Sequence, residues 1–193
     1  MAFVTPLRST ASQASASNPL ARSCVEKAKE IHASVYSTWK HFKLRQQSTS
    51  REHKASVISA YYAPRSTFND PLVSVQGLHA VTQQLMFIAL FPAVKSRISH
   101  VSWTHLGTGE PEPGLSESGC RTELVVIDAV VTFTLVPFLP QYLSNITLRI
   151  LTHLTFDASG RVISHEDVWS FSEALGSAFN GSENKWIRVD YFD

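Results

Sequence analysis

Two residues whose side chains suit proton transfer stand close together near the end of the chain. His165 and Asp167 are separated by one residue in a stretch that reads as a strand after a glycine turn. Because side chains alternate between the faces of a strand, residues two apart point the same way. An imidazole beside a carboxylate predicts acid–base catalysis, with one group orienting the other or holding water. The alternative is structural, with Asp167 paired to an arginine and His165 as a core histidine.

Asp128 is the third predicted catalytic residue. It stands in a strand-like run of apolar residues, with Val126 and Val130 two positions away on either side. A buried carboxylate without a partner is costly, and its pKa rises. Such groups are often found at active sites. The alternative is a structural hydrogen bond to His153 or His100 on a neighbouring strand.

Aromatic and polar side chains elsewhere predict the wall of a ligand pocket. An apolar wall rich in aromatic rings favours a flat or polycyclic ligand. Asp70 precedes Pro71, so it either fixes a turn or contacts the ligand. His153 faces either the pocket or solvent. The predicted ligand-binding residues are Tyr61, Tyr62, Phe68, Asp70, Met86, Trp103, His153 and Trp169.

Composition excludes several classes of function. The formal net charge of +1 offers no electrostatic footprint for nucleic acid. Of the 193 residues, only 17% are charged, against about 25% in an average soluble domain. Much apolar surface must therefore be buried in a core, a pocket or a partner. Histidine and cysteine spacings fit no metal motif, and no phosphate-binding loop is present, so we expect neither a metal nor a cofactor.

The chain divides into a tail, one domain and an extension. Residues 1–23 carry two arginines and no acidic residue and are rich in serine and alanine. This composition fits a disordered tail or a transit peptide, so the predicted compartment is the cytoplasm, with the mitochondrion as the alternative. Cys24 and Cys120 are too few for a disulfide framework. The predicted domain is 24–171, followed by an extension, 172–193.

Residues 129–148 contain no charged side chain. A membrane span of that length must be considered. Pro137 and Pro140 interrupt the run, and its valines, threonines and phenylalanine favour strand over helix. Two strands joined by an apolar loop explain the run better. The loop, 136–143, is a candidate for contact with a membrane surface or for the cover of a pocket.

Apolar periodicity predicts helices in the first half and strands in the second. Ser23 with Glu26, and Thr49 with Glu52, fit capping boxes at the starts of the first two helices. Gly77 precedes the third. Helices followed by antiparallel strands make the fold class α+β. The predicted helices are 25–47, 51–62 and 78–91, and the main predicted strands are 97–106, 121–136, 146–156 and 161–171.

Both faces of the predicted strand 121–136 are apolar. Leu124, Val126 and Val130 lie on one face, and Val125, Ile127 and Val131 on the other. Helices can cover only one face of such a sheet. A homodimer formed through the other face is the simplest way to cover it.

Several motifs in order resemble the SnoaL-like branch of the nuclear transport factor 2-like superfamily. They are Tyr61-Tyr62 at a helix end, Phe68-Asn-Asp70-Pro71 in an extended segment, Gly77 before a helix, and His165-Glu-Asp167-Val-Trp169 in the closing strand. The resemblance covers roughly residues 25–170. It implies a cone-shaped α+β barrel, with N-terminal helices packed in a curved, mainly antiparallel sheet around an apolar pocket.

The resemblance also implies roles for two acids. In epoxide-hydrolase-like members, an acid in the last strand positions the attacking water, and Asp167 stands at that place, with Asp128 as the possible second acid. The partner arginine of those members is absent from the centre of the strand 121–136. In isomerases of the family, a carboxylate faces hydrogen-bond donors, a role that Asp128 with Tyr61 or Tyr62 would fill.

Three hypotheses for function follow. The first is a cofactor-independent isomerase, cyclase, dehydratase or hydrolase that acts by acid–base catalysis on a small hydrophobic molecule, such as a polyketide or terpenoid. The second is a non-catalytic domain that binds a lipid-like ligand. The third is a domain that docks another protein through its open sheet face.

Overall fold

The computed structural model describes residues 19–36, 44–108, 121–135 and 145–170, together with residues 172 and 176. Among the described residues, two α-helices come first, two strands and a third α-helix follow, and four further strands come after them. A short 3₁₀ turn, Ile88–Leu90, follows the third helix. The elements are α1 (Pro19–Val35), α2 (Leu44–Tyr61), β1 (Tyr62–Asn69), β2 (Ser74–Gln76), α3 (Leu78–Phe87), β3 (Ala93–Thr108), β4 (Arg121–Thr134), β5 (Asn145–Phe156) and β6 (Val162–Val168).

The strands form one six-stranded sheet in the order β2-β1-β6-β5-β4-β3. Neighbouring strands are antiparallel except for β1 and β6, which run parallel. The predicted α+β class and mainly antiparallel sheet are confirmed. β6 lies beside β1, the strand that directly follows α2, and the start of β6 at Val162 pairs with Tyr62.

One face of the sheet packs against the helices and forms the core. Along β4 the buried side chains alternate strictly: Val125, Ile127, Ala129 and Val131 are fully buried, and the residues between them are not. This alternation defines an inner face, toward the helices, and an outer face. On α1, Cys24, Ala28, Ile31 and Val35 form the buried stripe, spaced by three and four residues as one helical face requires.

Two glycines have backbone angles that side chains rarely adopt. Gly77, with φ of 92°, begins α3, and its carbonyl accepts the first helical hydrogen bond from Val81. Gly160, with φ of 74°, closes the turn between β5 and β6. The sequence predicted both positions from their place between elements.

The predicted starts of the first two helices were wrong, whereas the second helix ends at Tyr61, within one residue of its predicted end. Ser23 and Thr49 lie inside helices that begin at Pro19 and Leu44, so neither is an N-cap. Proline is favoured in the first turn, where its missing N–H is not needed, which explains the earlier start of α1. Helical structure is described as far as Val35, and residues 37–43, inside the predicted helix 25–47, lie outside the described residues.

In the described part of the chain, no helix is long and apolar enough to cross a membrane. The loop predicted to touch a membrane, 136–143, and Cys120 lie outside the described residues. Cys24 is a buried free thiol on α1. The domain boundaries and the compartment stay predictions.

Candidate active site

His165 and Asp167 lie side by side on the inner face of β6. His165 is fully buried and Asp167 is 4% exposed. Their side chains meet, with His165 Nε2 at 3.2 Å from Asp167 Oδ1. Side chains two residues apart on β6 therefore lie together on one face, as predicted for this pair.

Two further side chains complete the surroundings of the Asp167 carboxylate. Thr152, opposite Asp167 in the register of β5 and β6, donates its hydroxyl to Oδ1 at 2.6 Å. Tyr36, directly after α1, donates its hydroxyl to Oδ2. With His165, the carboxylate thus has three side-chain partners from three elements. A buried carboxylate needs such partners to remain ionised.

Tyr62 extends this network through the imidazole. Its hydroxyl oxygen lies 2.6 Å from His165 Nδ1. An ionised carboxylate only accepts hydrogen bonds, so His165 Nε2 carries the hydrogen, and in the neutral imidazole Nδ1 accepts from Tyr62. The edge of Phe68 packs against the His165 ring at 5.1 Å between centroids. The result is a continuous chain from phenol to imidazole to carboxylate, which we call the Asp167 network (Tyr36, Tyr62, Thr152, His165 and Asp167).

Opposing effects set the ionisation of these groups. Burial by itself raises the pKa of Asp167, but the adjacent His165 and the hydrogen bonds from His165, Thr152 and Tyr36 hold that pKa below its ordinary value. Burial and the negative charge of Asp167 raise the pKa of Tyr36 and of Tyr62 well above the ordinary value. Asp167 is therefore ionised and both phenols are protonated at neutral pH.

His32 adds a second buried imidazole one helical turn before Tyr36. The two rings pack at 4.8 Å between centroids, with their planes tilted by 40°. His32 Nε2 lies 2.7 Å from the hydroxyl of Ser96 on β3, while its Nδ1 is buried and has no partner in the described ranges. Burial lowers the pKa of His32 to about 4; Asp167 opposes this shift and His165 adds to it. His32 is thus neutral at physiological pH.

This arrangement can hold, donate and relay protons. The Asp167 carboxylate polarises the Tyr36 hydroxyl, and His165 does the same for Tyr62. Each phenol oxygen keeps lone-pair capacity for a hydrogen bond from a ligand. Fixed donors and charges in a dry interior act more strongly than in water, which is the setting in which acid–base groups assist catalysis.

Asp128 does not lie with these residues. Its position on β4 belongs to the outer face, and Arg149 on β5 holds it with two hydrogen bonds, at 2.9 Å from Nε and 2.5 Å from Nη2. The hydrogen bond from Arg149 lowers the pKa of Asp128. The predicted lone carboxylate with a raised pKa was therefore wrong. The residues two positions from Asp128 on β4 are valines, so no partner was evident from the sequence. The partner in the structure, Arg149, lies on the adjacent strand β5.

His153 and Tyr61 also lie away from the network. His153 Nδ1 is 3.6 Å from Glu166 Oε2 on the outer face. The Tyr61 hydroxyl donates to Glu30 of α1 at 2.6 Å. Asp70 receives the backbone N–H groups of the two residues after Pro71, so it fixes a turn, the simpler of its two predicted roles.

The other predicted residues of the pocket wall lie in the core, pack against it, or are half-buried on α3. Phe68 belongs to the core, and Met86 is half-buried on α3. Trp103 and Trp169 are partly buried and pack against the core. Of the predicted ligand-binding residues, only Tyr62 and Phe68 contact the imidazole of His165.

The sequence interpretation missed Tyr36, His32 and Thr152. A signal existed for each. His32 and Tyr36 are four apart, so they share a helical face, next to the apolar residues Ile31 and Val35. Thr152 is the single hydroxyl in a row of β5 that otherwise reads Leu148, Ile150 and Leu154.

No family model matches the chain, and no curated protein matches its sequence. Solved structures do match its fold. An LEH-like epoxide hydrolase of M. tuberculosis superposes with a TM-score of 0.51 at 8% identity, over 83% of this chain and 87% of that one. A protein of Jannaschia sp. CCS1, classed by likeness as a SnoaL-like polyketide cyclase, superposes with a TM-score of 0.53 at 14% identity, over 83% and 94%.

The chain has the SnoaL-like fold. The resemblance stated from Tyr61-Tyr62, Asp70-Pro71, Gly77 and the closing strand is thereby confirmed as one of fold. At these identities the likeness extends no further than the fold, and the same fold supports different chemistries. Within the described ranges, no three histidine, cysteine or acidic side chains are grouped to hold a metal ion.

Proposed function

We propose that this protein is a cofactor-independent enzyme that moves protons on a small hydrophobic molecule by acid–base catalysis. The supporting observation is the Asp167 network, a buried ionised carboxylate with three donors, in line with His165 and Tyr62. At Tyr36, a ligand proton would pass to the phenol oxygen as the phenol's own proton moves to Asp167. At Tyr62, the phenol's proton would move to His165 Nδ1 in the same way, and the reverse transfer would return a proton to the ligand. Isomerisation, cyclisation, dehydration and hydrolysis all use such a step.

The names of the fold neighbours support this class of reaction. One is an epoxide hydrolase, and the other is classed with polyketide cyclases. A polyketide- or terpenoid-like substrate would fit the apolar residues that surround the network. Neither neighbour identifies the substrate, because the chains share only the fold.

The test is turnover of a panel of hydrophobic probes by matched variants. Styrene oxide reports hydrolysis, and a β,γ-unsaturated cyclic ketone reports isomerisation through its change in ultraviolet absorbance. Asp167→Asn should lower turnover roughly 100-fold or more, the usual contribution of a positioned acid or base. Glu166→Gln is the control, because Glu166 is the neighbouring acid on the outer face. Equal rates in Asp167→Asn and wild type would rule out the proposed role.

A second candidate is a binding protein without catalysis. The observation that favours it is the completeness of the network: both carboxylate oxygens of Asp167 and both ring nitrogens of His165 have partners within the chain. Such a network would stabilise a cavity wall equally well. Native mass spectrometry of the purified protein distinguishes the two, because a retained apolar ligand recovered unchanged supports binding.

We also propose that the outer face of the sheet forms a homodimer interface. Leu124, Val126 and Val130 on β4 and Leu151 on β5 line its centre and are partly exposed. The pairs Asp128–Arg149 and His153–Glu166 lie on the same face. Asp128 pairs with Leu151 and stands between Val126 and Val130, so apolar and charged side chains alternate on this face. A second copy of the chain would cover the apolar ones.

A further inference from the structure

A second group of polar side chains lies on the inner face of the sheet, near the start of β4, whereas the Asp167 network lies opposite the middle of that strand. Glu123 is its centre and is 1% exposed. His105 on β3 pairs with Glu123 in the strand register, and Trp103 pairs with Val125. Because these positions are two apart on each strand, the three side chains share one face. We call them the Glu123 group (Trp103, His105 and Glu123).

The hydrogen bonds of the Glu123 group are incomplete. Glu123 Oε1 lies 3.1 Å from His105 Nδ1. Glu123 Oε2 and Trp103 Nε1 are both buried and have no hydrogen-bond partner among the residues that the structure describes. Buried polar atoms in proteins are nearly always paired, so unpaired ones call for an explanation. Here one unpaired atom is an acceptor and the other a donor, on diagonally adjacent positions of the same face.

The two unpaired atoms, Glu123 Oε2 and Trp103 Nε1, restrict which functional group of a ligand can bind between them. An anion would be repelled by the Glu123 carboxylate. An ammonium group would satisfy Glu123 but has no acceptor for the indole N–H of Trp103. A neutral hydroxyl both donates and accepts, so it satisfies both atoms at once. We propose that the Glu123 group is a binding site for the hydroxyl of an apolar alcohol or phenol, separate from the Asp167 network.

The surroundings fit an apolar body attached to that hydroxyl. Cys24, Val125 and Phe156 are fully buried nearby, on α1, β4 and β5. Burial raises the pKa of the Cys24 thiol, opposed by Lys27, and the Glu123 charge adds to the rise. Cys24 is therefore a neutral apolar neighbour. His105, with 42% of its side chain exposed, lies at the surface end of the group, so a ligand would reach Glu123 from that side.

Packed core separates the Glu123 group from the Asp167 network. Ile127, which pairs with Thr152, is four residues along β4 from Glu123, or about 13 Å at 3.3 Å per residue. Val125 and Ile127 are fully buried between the two. A ligand hydroxyl at Glu123 therefore does not touch Asp167, and the two sites can be tested independently.

The experiment is calorimetric titration of the full chain with 2-naphthol and with 2-methoxynaphthalene, which keeps the rings but loses the donated hydrogen. Wild type should bind 2-naphthol about tenfold more tightly or better, as expected for a hydrogen bond to a charged group. Trp103→Phe and Glu123→Leu should each reduce that preference severalfold. Glu166→Gln on the outer face should preserve it. The titration measures binding only, so it is independent of turnover by the Asp167 network.

Three results would overturn the proposal. The first is equal affinity of wild type for the two naphthalenes, and the second is a preference that survives both substitutions. The third is a crystal structure with 2-naphthol in which a water molecule alone bridges Glu123 and Trp103. If Glu123→Leu does not fold, Trp103→Phe decides the matter, because it removes the N–H and keeps an aromatic ring.

Discussion

At the scale of single residues, burial and the available hydrogen-bond partners determine whether each ionisable group is charged. Asp167 stays ionised in the core because three side chains donate to it. His32, with one partner and one unpaired nitrogen, stays neutral. Both groups make the stability of the protein depend on pH, in separate ranges.

Asp167→Asn should lower the free energy of unfolding by about 1–3 kcal/mol at neutral pH, since it disturbs three hydrogen bonds to a buried charge. The pKa of Asp167 is depressed in the folded protein. Its contribution is therefore fully present above the unfolded-state pKa near 4 and is lost as the pH falls through the folded-state value. Urea denaturation should show a constant deficit between pH 7 and pH 5 that shrinks below about pH 4. A deficit that grows on acidification would contradict this account.

His32→Gln should remove part of the acid sensitivity of the fold. The pKa of His32 is lowered to about 4 in the folded state, so its contribution is present above the unfolded-state pKa near 6.5 and is lost as the pH falls toward 4. Relative to the variant, wild type should lose up to about 1.4 kcal/mol per pH unit in that window. His53→Gln, at an exposed site on α2, is the control and should keep the wild-type slope. Parallel curves for wild type and His32→Gln would refute the assignment.

At the scale of elements, α1 packs on the inner face of the sheet and positions Tyr36, the member of the Asp167 network that directly follows it. Two lysines hold α1 in place. Lys54 of α2, 2% exposed, donates to the carbonyl of Val35 at the end of α1, at 2.8 Å. Lys27 donates to the carbonyl of Gly160 in the β5–β6 turn at 2.9 Å. The first contact lies one residue before Tyr36, so it fixes the hydroxyl that reaches Asp167.

Lys54→Met should abolish a rise in stability at alkaline pH. Burial lowers the pKa of Lys54 to about 8, so between pH 8 and 9.5 the unfolded chain binds more protons than the folded one. Stability of wild type should therefore rise across that range relative to Lys54→Met. Chemical denaturation at pH 7.5, 8.5 and 9.5 measures it, with Lys29→Met at an exposed site as the control. A wild-type curve that falls against the variant would exclude a buried amine at this position.

Gly160→Ala should destabilise the β5–β6 turn by about 1 kcal/mol, the usual cost of a side chain at positive φ. The new Cβ would also stand 2.7 Å from Lys27 Nζ. Lys27→Met removes that clash but leaves the backbone cost. Thermal unfolding of the double variant should therefore show a loss relative to Lys27→Met alone. If Gly160→Ala costs nothing in the Lys27→Met background, the backbone angle is not the cause.

At the scale of the whole molecule, one sheet has helices on one face, and partly exposed apolar side chains among ion pairs on the other. If the outer face forms a homodimer, Val126→Asp should shift the protein toward monomer, because it adds a second acid beside Asp128 without adding a basic partner. Light scattering over a range of concentrations measures the mass. Thr122→Asp, on the same face near the end of β4, is the control. A monomeric wild type would refute the interface.

Much of the fold followed from local pattern. Strands of period two, a glycine before α3 and another in the β5–β6 turn were all predictable, because each depends on neighbours in the chain. The starts of α1 and α2 were not, because capping signals at Ser23 and Thr49 are short and competed with longer helical runs. His165 and Asp167 were predictable as a pair, since alternation alone puts them on one face.

The sequence alone determined that the strand around Asp128 has two apolar rows, one of valines and Ile127, the other with Asp128 and Val126. It did not determine which row faces the helices. Only the tertiary structure decided this, because the inner face is set by where α1 packs, a contact between residues far apart in the chain. That choice placed Asp128 with Arg149 on the outer face and brought Tyr36 and Thr152 to Asp167. Side chains from separate elements meet only when the sheet and helix close on each other, so the network could not be inferred from spacing.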